Sequence, residues 1–130
     1  MADPVPRLIV RVIGPSSEEV SIRALFEAIG VGGDIQRWRV EGIDAVGEQA
    51  EALHRMPVTE ETSGSQLVTL SAGISQVIEG TFVGSLSDEV TPWCLVRAID
   101  GIEFDVECRD PRVLAAIRAT FPWAVDATGP

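Results

Sequence analysis

Hydrophobic and polar positions along the chain fall into segments with the two periodicities of regular secondary structure, and turn residues punctuate them. Residues 7–13 (Arg-Leu-Ile-Val-Arg-Val-Ile) are apolar and β-branched and stop at Gly14-Pro15, which predicts a buried strand. Ser16 and Glu19 have the spacing of a capping box, and Ile22, Leu25, Phe26 and Ile29 then recur at helical spacing before Gly30. This predicts an amphipathic helix that starts at Ser16 and is capped by Gly30. Residues 34–43 alternate, with Trp38 and Val40 on one side and Arg37, Arg39 and Glu41 on the other, the pattern of a half-buried strand. Residues 46–56 predict a short helix ended by Pro57, and residues 59–65 a polar loop carrying Glu60 and Glu61.

Leu67, Leu70, Ile74, Val77 and Ile78 share one helical face, so residues 66–79 are expected to form a single helix, even though Gly73 inside it costs about 1 kcal/mol relative to Ala. The competing assignment is a strand over 66–71 followed by a short helix. Residues 81–86 predict a short strand, and 87–91 an acidic turn with Asp88 and Glu89. Residues 92–99 and 102–108 flank Asp100-Gly101, a pair favoured in two-residue hairpin turns, where both positions need positive φ. Asp110-Pro111 then opens a helix with the stripe Val113, Leu114, Ile117 and Phe121.

A two-residue turn pairs Ile99 with Ile102, Arg97 with Phe104, Leu95 with Val106 and Trp93 with Cys108. In that register Glu103, Asp105 and Glu107 lie beside Ala98, Val96 and Cys94, and Cys94 and Cys108 point to opposite faces, too badly placed for a disulfide. The expected fold class is α+β: a mainly antiparallel sheet with a C-terminal β-hairpin and about three amphipathic helices packed largely on one face. The chain, residues 1–130, is read as a single domain.

Composition narrows the function. Apolar residues make up 45% of the chain and charged residues 23%, which is the balance of a folded globular protein. Ten arginines and no lysine stand against twenty acids, for a net charge of -10. Nucleic acid and anionic membranes are therefore repelled, and a basic protein is attracted. Lys, Asn and Tyr, whose codons begin AA or TA, are all absent, which points to a GC-rich bacterial genome. The start of the chain lacks a basic segment, and the apolar run 8–13 is interrupted by Arg11, so a cytoplasmic location with reduced cysteines is expected.

No motif outweighs its ordinary structural explanation. Glu51-x-x-His54 is one half of a di-iron carboxylate pattern that needs two such motifs, and the single His54 reads as an exposed polar residue. The glycines of Gly30-Val31-Gly32-Gly33 follow a helix, whereas phosphate loops precede one. A Gly-x-Ser-x-Gly elbow is absent, and twenty acids single out no catalytic pair. Alternation sends Trp38 inward and its flanking arginines outward, against a nucleic-acid platform. No catalytic residue, metal ligand or cofactor is assigned.

The acidic row Glu103, Asp105 and Glu107, with Asp88 and Glu89 in the adjoining turn, is the candidate partner-binding surface. The leading expectation is a small bacterial protein-binding domain that neutralises a basic partner, most concretely a toxin-neutralising immunity protein and not an enzyme. Behind it stand an acidic chaperone or assembly factor, which would form a homodimer, and an enzyme with an unrecognised site.

Overall fold

The computed structural model describes residues 5–33, 36–56, 60–86 and 92–128. In these the chain runs β1 (Arg7–Arg11), α1 (Ile22–Ile29), β2 (Gln36–Val46), α2 (Ala50–His54), β3 (Thr62–Ser63), α3 (Gly64–Ser71), β4 (Gln76–Leu86), β5 (Cys94–Ile99), β6 (Glu103–Cys108), α4 (Pro111–Thr120) and β7 (Val125–Asp126). The strands form one sheet in the order β3-β2-β4-β5-β6-β1-β7, and every neighbouring pair is antiparallel. The fold is α+β, as the pattern predicts, with four helices among the described residues where about three were expected.

One face of the sheet carries the core. Leu8 and Val10 of β1, Trp38 and Val40 of β2, Phe82 of β4, Val96 and Ala98 of β5, and Phe104 and Val106 of β6 are all buried in it. The stripes of α1 (Ile22, Leu25, Phe26, Ile29) and α4 (Val113, Leu114, Ile117) close over them, together with Leu67 of α3. Phe26 packs edge-on to Phe82, with ring centroids 5.2 Å apart, at the centre of this layer.

Four expectations are corrected. Helix α1 starts at Ile22 and not at Ser16: the cap is Ser21, whose hydroxyl accepts from the Ala24 N–H at 3.0 Å. The backbone N–H of Ser16 instead meets Glu18 Oε1 in a tight loop, closed by a bridge between Ile13 and Glu19. The expected helix over 66–79 is a helix followed by a strand. Helix α3 ends at Ser71, and Gln76 begins a central strand paired on both sides, so sheet pairing overrides the helical spacing of Ile74, Val77 and Ile78. Residues 62–65 are not loop, because β3 adds to β2, and Ser63 with Gln66 forms a capping box for α3.

The hairpin register also differs from the expected one. Asp100 and Gly101 do adopt positive φ (53° and 67°), and the Ile102 N–H donates to the Ile99 carbonyl at 2.9 Å, as in a type I′ turn. Yet Ile99 pairs with Glu103, so Ile102 is an extra residue and the register moves by one. Ile102 is held instead by the residue that follows β1, because the Val12 N–H donates to the Ile102 carbonyl at 2.8 Å. Cys94 therefore lies directly opposite Cys108, both buried and both free thiols, on the same face and not on opposite ones.

Candidate functional site

Glu103, Asp105 and Glu107 do share one side of β6, the side turned away from the helices. Their neighbours there are Ile99, Arg97 and Leu95 of β5 and Arg11, Ile9 and Arg7 of β1. The apolar row of Val96, Ala98 and Cys94 expected beside them belongs to the core, because the shifted register turns that side of β5 inward. Asp88 and Glu89 lie outside the described residues.

The acidic row is occupied by arginine. Arg7 Nε donates to Asp105 Oδ1 at 3.2 Å and Arg97 Nη1 to Glu107 Oε1 at 3.0 Å, and Arg7 also stands 3.8 Å from Glu107. Asp105 is only 4% exposed beneath these side chains, and its carboxylate holds the Arg7 guanidinium even more firmly protonated than usual. Strand alternation places Arg37, Arg39 and Glu41 on this same face. Arginines thus interleave with these carboxylates over β1, β5, β6 and the first part of β2, while the same alternation adds Glu79 and its partner Asp44 toward the turn end of the face.

The acid excess gathers at the end of the sheet that holds the hairpin turn. The Asp100 N–H donates to Glu79 Oε1 at 3.1 Å, Glu79 stands opposite Asp44, and Glu103 leaves the turn beside Ile102. Glu19 faces Ile13 across the neighbouring loop. At this end Ile13 and Ile102 are each 54% exposed, and the bond from the Val12 N–H to the Ile102 carbonyl places Ile102 beside the residue that precedes Ile13. Two shallow concavities flank Ile13: one of about 430 Å³ beside Pro15 and Trp123, the other of about 350 Å³ beside Glu19, Val20 and Gln76. Sequence reading missed this cluster, because Ile13 looks like the last residue of a buried strand and Ile102 like a paired hairpin residue. The acids Glu19, Glu79 and Asp100 were legible one at a time, but their convergence from separate elements was not.

Other features are simpler. His54 Nε2 accepts the Ala45 N–H at 3.2 Å, so the single histidine satisfies a backbone donor of β2. A concavity of about 450 Å³ beside α3 is lined by Met56, Leu70, Glu60 and Glu61. Among the described residues no three or more His, Cys, Asp or Glu side chains converge as a metal site would require, and no helix is long and apolar enough to cross a membrane. Comparison with protein-family models, with curated proteins and with solved structures finds no match to this chain.

Proposed function

We propose that this chain is a small binding protein that neutralises a basic protein partner, with a toxin-neutralising immunity protein as the most concrete form, and that the partner docks on the hairpin-turn end of the sheet. The observation that carries this reading is the pair of exposed isoleucines, Ile13 and Ile102, set among Glu19, Glu79, Asp100 and Glu103. Exposed apolar side chains beside concave surface, rimmed mainly by acids with Arg11 as a basic neighbour, have the make-up of an interface core and its rim. The net charge of -10 supplies the long-range attraction, and the acidic rim orients the encounter. The open sheet face suits this role less well, because Arg7 and Arg97 already neutralise its carboxylates.

The test uses the gene beside this one in its genome. Co-expression should relieve growth arrest caused by a basic carboxy-terminal domain encoded there, and the two purified proteins should associate at a rate that falls steeply with salt. Combining Glu79→Gln, Asp100→Asn and Glu103→Gln should slow association and flatten its salt dependence. Asp105→Asn with Glu107→Gln should change it little. The reverse ranking would move the interface to the open face, and absence of rescue together with absence of binding would defeat the proposal.

A further inference from the structure

Cys94 and Cys108 close the hairpin at the end away from its turn. The Cys108 N–H points outward, donating to the Pro6 carbonyl at 3.1 Å, so this is a non-hydrogen-bonded pair, the kind whose Cα atoms approach to about 4.5 Å. That spacing lies within the span of a disulfide, whose Cα atoms sit about 4.4–6.8 Å apart. We propose that Cys94 and Cys108 are an oxidisable dithiol, a modification site that closes to an intrachain disulfide by exchange with a low-molecular-weight disulfide. The two residues have different roles. Cys108 accepts a hydrogen bond from Cys94 and another from the Asp110 backbone, which lowers its thiol and makes it the attacking sulfur. The same bond to Cys108, together with burial, holds the Cys94 thiol up. A cavity of about 150 Å³ lined by Trp93, Cys94 and Arg109 lies beside the pair, and Cys108 is itself buried, so the reagent meets it as the chain folds or as this end of the hairpin opens.

The exchange balances. The Cys108 thiolate attacks one sulfur of the external disulfide, forming a mixed disulfide and releasing one small thiolate, which takes up a proton. Cys94 then gives up its proton and attacks the Cys108 sulfur, and the second small thiolate leaves and is protonated. Two protein thiols are oxidised, and one external disulfide is reduced to two thiols.

The experiment incubates the full chain with glutathione disulfide in two ways: folded, and during refolding from urea in the same buffer. Intact mass, peptide mapping and circular dichroism follow. A monomer that has lost two hydrogens, with Cys94 joined to Cys108 and a native spectrum in either arm, is the expected result. Cys94→Ser should instead retain glutathione on Cys108. Free thiols in both arms, disulfide-linked dimers, or an intrachain bond that forms only with loss of the native spectrum would overturn the proposal. The proposed docking surface lies at the other end of the hairpin, so this test and the binding test fail independently.

Discussion

Ser16 and Ser21 both precede the apolar stripe of α1, but only the Ser21 hydroxyl reaches an amide of the first turn. Ser21→Ala should therefore cost about 1 kcal/mol in urea melts, and Ser16→Ala should be indistinguishable from wild type. Equal losses would return the start of the helix to Ser16. Asp110 plays the matching part for α4: it accepts from the Arg112 N–H at 2.9 Å and pairs with the Arg112 guanidinium at 3.1 Å. These contacts, the Arg112 side chain foremost, lower the Asp110 carboxyl below its ordinary value of 3.8. A depressed folded-state value means that the contribution is complete above pH 3.8 and is lost as the pH falls through the folded-state value. Wild type should thus lose stability faster than Asp110→Asn below that pH, and parallel acid titrations of the two would remove the assigned contact.

Among the elements, β4 departs most from the periodicity. Its apolar residues mimic a helix continuing α3, and what decides against the helix is non-local: β2 and β5 supply partners on both sides of residues 81–84. Gly84 shows how close this packing is. It pairs with Trp38, and a Cβ there would come within 2.6 Å of the indole ring. Gly84→Ala should cost about 1–3 kcal/mol through displacement of Trp38, read as a lower urea midpoint and an altered tryptophan emission spectrum. An unchanged midpoint would mean that the ring has room to shift. The hairpin turn offers a second test, since Gly101 holds φ at 67°. Gly101→Ala should cost about 1–2 kcal/mol because an L side chain is strained there. A neutral effect would imply a different turn.

At the scale of the whole molecule, charge is separated along the sheet. Arginines and carboxylates interleave over most of the open face, and toward the turn, beyond Arg11 and its partner Glu103, acids face one another, as Asp44 does Glu79. Like charges facing each other across strands destabilise mildly, so Glu79→Gln should leave thermal stability equal or slightly higher while weakening partner binding. A clear drop in melting temperature would show that the Glu79 carboxylate supports the turn beyond its bond to the Asp100 amide. Local sequence determined a great deal: the strand alternation of Trp38 and Val40, the stripes of α1 and α4, the Asp100-Gly101 turn and the α+β class follow from side-chain periodicity and turn chemistry, which act over a few residues. The chemistry of the acidic row was legible in Glu103, Asp105 and Glu107, but its neighbours were not, because one extra residue in a strand exchanges its two faces. Only the tertiary structure decided that residue. The segment just after β1, distant in sequence, takes the Ile102 carbonyl through Val12, and with Ile102 left out of the pairing the register brings arginine to the acidic row, turns the apolar row to the core and sets Cys94 opposite Cys108.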